Sequence, residues 1–183
     1  MTHMPEEKIF KGKSTKLNYL DWGSSSAEPL VMLHGGAWSW REYLSLIPSL
    51  AQAWHIYAPD FRGNGRSGWV PGSYRLRDFA DDNAQFLGQL KAPAVLAGHS
   101  LGGVVALMLA ARCPDRIKAL ILEDPAFGTW PSFEPGDDLT LEAWAPVTIQ
   151  PWMTNGAGPH GGYFAPTAVP LGTDKAALNE EAA

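Results

Sequence analysis

Between residues 16 and 126, short apolar runs alternate with helix-length amphipathic segments, and glycines and prolines punctuate the joins. That alternation predicts an α/β fold, a mostly parallel sheet flanked by helices. Strands are expected at residues 17–21, 29–33, 55–58, 93–97 and 117–123. The second reads as buried on both faces, because its apolar run is continuous and bounded by Pro29 and by His34-Gly35-Gly36. A helix is expected over 41–52, bent or ended around Pro48. The next helix follows Ser73 as its N-cap and presents Leu76, Phe79, Ala80, Ala84, Leu87 and Leu90 on one face. Leu101, Val104, Val105, Met108 and Leu109 repeat at helical spacing as far as Arg112.

The pattern changes near residue 125. Residues 1–124 hold 13 basic and 12 acidic side chains, whereas 125–183 hold one basic and seven acidic ones, together with eight of the 15 prolines. The chain is therefore read as a core at 1–126 and a lid-like or poorly ordered Pro/Gly-rich tail at 127–183. Short helices near 139–144 and 175–181 and a flexible loop at 155–162 are the only elements expected in that tail. With 183 residues and a net charge of -5, there is one core to build and no basic field for nucleic acid or anionic lipid. One cysteine, Cys113, excludes a disulfide framework within the chain and a cysteine-rich zinc site, and it reads as an inert core thiol. No stretch reaches membrane-span length, so a cytoplasmic protein with no membrane partner is expected. The eight tryptophans read as core packing or as the wall of an apolar pocket.

The chemistry lies in Gly98-His99-Ser100-Leu101-Gly102, a G-x-S-x-G set between an apolar strand and an amphipathic helix. A serine at such a turn is held in strained backbone, and the following helix aims N–H groups and its positive end at the same spot. Ser100 is the candidate nucleophile, with the Leu101 N–H as one oxyanion donor; a helix cap would use the same serine without chemistry. His34-Gly35-Gly36-Ala37 follows an earlier buried strand, where Gly36 can lend a second N–H or merely make a tight turn.

These motifs, with Leu33, the segment Ala58-Pro59-Asp60-Phe61-Arg62-Gly63-Asn64-Gly65-Arg66-Ser67 and the run Leu122-Glu123-Asp124-Pro125, make residues 16–126 resemble the α/β-hydrolase superfamily. The resemblance implies an eight-stranded, mostly parallel sheet, a serine nucleophile after the fifth strand and a lid after the sixth. It is similar to the cofactor-independent esterase, lipase and carbon–carbon hydrolase group. Relatives that use Asp where this chain has Ser100 are disfavoured.

The resemblance also implies an acid after the seventh strand and a histidine after the eighth, and the chain is read as ending after the sixth. Of the five histidines, His3 lies near the terminus, His34 is structural, His55 begins a strand at the opposite end and His99 points away from its neighbour. His160 remains as the base, in Gly-rich surroundings. Asp124 is the candidate acid, because adjacent strand tips lie about 4.8 Å apart. Asp60, Arg62 and Arg66 are expected to stabilise their loop, and the lone Gly63-Asn64-Gly65 lacks the context of a phosphate site. No cofactor and no metal are expected.

Two readings remain open. One is a serine hydrolase acting on a carboxylic ester or similar small apolar acyl substrate through a Ser100 acyl-enzyme. The other is a truncated or inactive hydrolase-like chain without a complete triad, with a binding role or none, prone to self-association through an incomplete sheet edge.

Overall fold

The computed structural model describes residues 5–126 and a two-residue strand at 169–170. Six strands arise in the first segment: β1 (Glu6–Lys11), β2 (Lys16–Trp22), β3 (Glu28–Leu33), β4 (Trp54–Pro59), β5 (Ala94–His99) and β6 (Ile117–Glu123), and β7 is Val169–Pro170. They form one sheet in the order β1-β2-β4-β3-β5-β6-β7. The centre, β4-β3-β5-β6, is parallel, and β1, β2 and β7 pair antiparallel. The tail assigned to 127–183, with its helices, its loop and His160, otherwise lies outside the described residues, as does His3.

The helices depart from expectation in instructive ways. In place of one helix over 41–52 there is a 3-10 turn, Trp40–Tyr43, and a single α-turn, α1 (Ile47–Leu50). Pro48 sits in the first turn of α1, where its missing N–H costs nothing, so it opens a helix rather than ending one. Helix α2 (Leu76–Gly88) starts later than a Ser73 cap would allow. Asp78 Oδ2 instead accepts the Arg75 N–H at 2.9 Å, while the Ser73 carbonyl accepts from Arg62 Nη1 at 2.9 Å. Helix α3 (Leu101–Arg112) buries every residue from Leu101 to Ala110, not one face, because it is sandwiched between the sheet and α2. Strand β1 had no counterpart in the predicted elements. It is an edge strand on which Phe10 packs edge-on against Phe86, at 5.6 Å between ring centres.

Strand β3 divides the molecule. The chain leaves it toward the face that buries Trp40, Tyr43 and Ile47, whereas β5 leads into α3 on the opposite face, among Leu33, Leu96, Val104 and Leu107. Loops departing to opposite faces open a crevice at the carboxyl ends of β3 and β5. Trp40 is core, as expected, but Trp38 and Trp69 are 62% and 78% exposed and lie outside the core. Cys113 is half-buried, its Sγ donates to the Leu109 carbonyl at 3.1 Å, and burial pushes its thiol pKa up, as an inert thiol requires.

Candidate active site

Ser100 lies at the head of that crevice, between β5 and α3. Its backbone has φ +50° and ψ -115°, outside the regions open to an L-residue, so the tight strand-to-helix turn is held under strain. The turn is pinned from below: Ser100 N–H donates to the Glu123 carbonyl at 2.9 Å, and the Ser100 carbonyl accepts from Gly103 at 3.0 Å. Small residues let it form. A Cβ on Gly98 would land on the Gly102 carbonyl, one on Gly102 would land on the Leu33 carbonyl, and one on Gly103 would meet Pro125 Cβ at 2.9 Å. The glycines of the motif are therefore close-approach positions at which strand, helix and the neighbouring β3 tip touch.

Strand register places the oxyanion candidates. Leu33 pairs with Gly98, so Gly36 and Leu101 each stand three residues past the last β3–β5 pair. The peptide joining Gly35 to Gly36 is held by its carbonyl, which accepts from His34 Nδ1–H at 2.6 Å and from Trp38 N–H at 3.4 Å. In a trans peptide the N–H points opposite to the carbonyl, so anchoring the Gly35 oxygen sets the direction of the Gly36 N–H. Among the described residues neither the Gly36 nor the Leu101 N–H has a hydrogen-bond partner.

His34 makes this possible by carrying its proton on Nδ1. Its Nε2 accepts the Phe61 N–H at 2.9 Å, leaving no room for a second proton, and burial pulls its pKa below the ordinary 6.5. Unfolded chains bind the proton at higher pH than folded ones, so stability is complete above about 6.5 and is lost on acidification through the window below it. Unfolding by urea should show a lower midpoint at pH 5 than at pH 7.5, and nitrogen NMR should keep the His34 Nδ1–H tautomer at pH 6. Titration of His34 at or above its ordinary value would contradict this.

The remaining predicted positions divide clearly. Asp124 follows β6 at φ +40°, exposed, one residue beyond the carbonyl that pins Ser100. It is thus beside the turn as expected, but no histidine among the described residues bridges it to Ser100. His55 is at the opposite end of the sheet, where its Nε2 is 2.8 Å from Asp21 Oδ1 and its Nδ1 is 3.1 Å from the Tyr57 hydroxyl. These groups line a separate cavity of about 300 Å³, and burial pushes the Tyr57 phenol up to about 12. His99 turns away from Ser100 to hydrogen-bond Glu42.

Asp60, Arg62 and Arg66 hold their loop, as expected. The fully buried Asp60 carboxylate accepts from Asn18 Nδ2 at 2.8 Å, Trp40 N–H at 2.8 Å and Arg66 N–H at 3.0 Å. Gly65, at φ +51°, lies so close to that carboxylate that a Cβ would strike it, which explains the Gly63-Asn64-Gly65 run without any ligand. Sequence reasoning missed Glu42. An isolated acid in a short helix carries no motif, and only the fold brings it to Gly35 and His99.

Fold and site together define a class, an α/β protein whose crevice opens at the carboxyl ends of parallel strands, at the point where strand order reverses. A family profile described as alpha/beta hydrolase fold matches residues 28–161, and the chain belongs to that family. It is 35% identical over 97 residues to a pimeloyl-[acyl-carrier protein] methyl ester esterase of Neisseria meningitidis, covering 53% of this chain and 36% of the relative. It is 34% identical over 110 residues to a soluble epoxide hydrolase of Corynebacterium sp. (strain C12), covering 60% and 38%. An alpha/beta hydrolase structure from Novosphingobium aromaticivorans superposes with a TM-score of 0.61 at 29% identity, covering 66% of this chain and 44% of that one. The chain spans about two-fifths of the length of the curated relatives it matches. Among the described residues no helix is long and apolar enough to cross a membrane.

Proposed function

We propose that the chain is a serine hydrolase acting on a carboxylic ester or similar small acyl substrate. The observation that carries this reading is the strained Ser100 turn at the end of β5, beside two backbone N–H groups, of Gly36 and Leu101, that have no hydrogen-bond partner among the described residues. Ser100 Oγ bonds to the acyl carbon as its proton passes to a base, and the N–H groups of Gly36 and Leu101 stabilise the oxyanion. Collapse expels the alcohol and leaves an acyl-enzyme, which water then hydrolyses. Only protons and electron pairs move, so no cofactor enters the scheme. The base is assigned to His160 and the orienting acid to Asp124. An apolar substrate is favoured by exposed Trp38, two residues past Gly36.

A second reading is favoured by one observation: each described histidine is already engaged, His34 by Phe61 and Gly35, His55 by Asp21 and Tyr57, and His99 by Glu42. It holds that the chain carries a nucleophile turn without a complete triad, and that its catalysis is orders of magnitude slower. A fluorophosphonate probe separates the two. Stoichiometric labelling within minutes, lost in Ser100→Ala, supports the hydrolase; labelling no faster than that of an exposed serine in a peptide supports the incomplete chain.

A further inference from the structure

We infer that Glu42 is a positioning residue that braces the two halves of the oxyanion site against each other; the inference rests on the reading of Gly36, Leu101 and Ser100 given above. One carboxylate reaches both loops. Its Oε2 accepts the Gly35 N–H at 2.7 Å, and its Oε1 is hydrogen-bonded to Nδ1 of His99. Gly35 immediately precedes Gly36, and His99 immediately precedes Ser100, so the bridge lies one residue behind a donor and one behind the nucleophile.

The bridge is needed because the ladder between β3 and β5 ends at the Leu33–Gly98 pair. Beyond it the two turns diverge to opposite faces of the sheet. The His99 ring fills the gap so closely that a Cβ on Gly35 would meet Nδ1 at 2.9 Å, which leaves no space for a side chain. Glu42 itself stands on a firm base. Its 3-10 turn is tied to Asp60 through the Trp40 N–H at 2.8 Å and to the end of β3 through the Tyr43 hydroxyl, which donates to the Leu33 carbonyl at 2.8 Å. Both members are largely shielded, with side chains 17% exposed for Glu42 and 30% for His99. Together with the His34 contact to the Gly35 carbonyl, the Gly35 residue is gripped at its N–H and its C=O, which leaves the Gly36 N–H no freedom to turn from the crevice.

The test compares Glu42→Ala, Glu42→Gln, His99→Ala and the double variant Glu42→Ala/His99→Ala, using fluorophosphonate labelling at Ser100 and amide NMR. In Glu42→Ala the maximal labelling rate constant should fall about 10-fold or more while the probe concentration giving half of it changes little, because misplacing a donor affects the reacting geometry. Glu42→Gln, which keeps an oxygen acceptor for Gly35, should recover most of the rate. The double variant should be no slower than the worse single one. Wild-type labelling rates in a folded Glu42→Ala would overturn the inference. If the wild-type chain is not labelled at all, it is the reading of Ser100 that fails, and the brace is then judged by NMR alone. Shifts of both the Gly36 and Leu101 amides in Glu42→Ala and in His99→Ala support it, and shifts confined to Gly35 contradict it.

Discussion

Replacing Gly102 with alanine will prevent the chain from reaching its native stability. A Cβ at this position would occupy the Leu33 carbonyl oxygen and press on the Leu33 carbon and the His34 oxygen, all backbone atoms of the central strand and its exit. No flexible side chain is available to move aside. Either α3 lifts from β3 or the tip of β3 bends, and both disrupt a helix buried on every side. Overpacking of this kind costs about 3 kcal/mol or more, a large part of the 5–15 kcal/mol that holds a typical domain together. The expected result is insoluble expression or a melting temperature lowered by roughly 10 °C or more. Gly88 is the control: it is helical, has nothing near its hypothetical Cβ, and should gain about 0.5–1 kcal/mol as alanine. A Gly102→Ala chain that melts with the wild type would show that strand and helix are not in contact as described.

Arg62→Ala should be almost as damaging by a different route. The guanidinium grips Asp82 with two bonds, Nε to Oδ2 at 2.6 Å and Nη2 to Oδ1 at 2.7 Å, and reaches the Ser73 carbonyl with Nη1. The two side chains are 3% and 2% exposed. Removing the arginine strands a carboxylate away from water, which costs about 3–5 kcal/mol, whereas replacing both members with apolar residues of similar size recovers most of the loss. Urea unfolding of Arg62→Ala, Asp82→Leu and the pair Arg62→Met/Asp82→Leu checks this. Arg62→Lys should not rescue, since an ammonium cannot repeat the paired contact. Single variants within about 1 kcal/mol of the wild type would mean that the pair contributes nothing to holding the 60–68 loop on α2.

Much of this architecture was legible because burial writes itself into periodicity. The parallel core strands are buried on both faces, so 29–33 and 93–97 read as unbroken apolar runs and fell within a residue or two of β3 and β5. Strand β1 was invisible for the opposite reason: an edge strand, partly exposed, has no need of a clean pattern, and Glu6, Glu7 and Lys8 disguised it as a polar terminus. Ser73 looked like a cap by residue type, but a cap is chosen by local geometry, and the Asp78 carboxylate on Arg75 won. At the candidate site, the positions of Ser100, Leu101 and Gly36 at the ends of β5 and β3 could be read because each lies in a contiguous motif tied to a strand end. Glu42 belongs to no motif, since its partners Gly35 and His99 are seven and 57 positions away and only the register of β3 on β5 brings them together.

In the proposed function, Ser100 is a nucleophile presented to a preformed oxyanion site. This is tested most directly by incubating the 183-residue chain with p-nitrophenyl acetate, quenching in acid and weighing the intact protein and its peptides. One acetyl group per chain is expected, carried by the peptide containing Ser100, appearing with an equal burst of nitrophenol and absent in Ser100→Ala. A folded wild-type chain that shows neither adduct nor burst, or that carries the acetyl group on another residue, would contradict it.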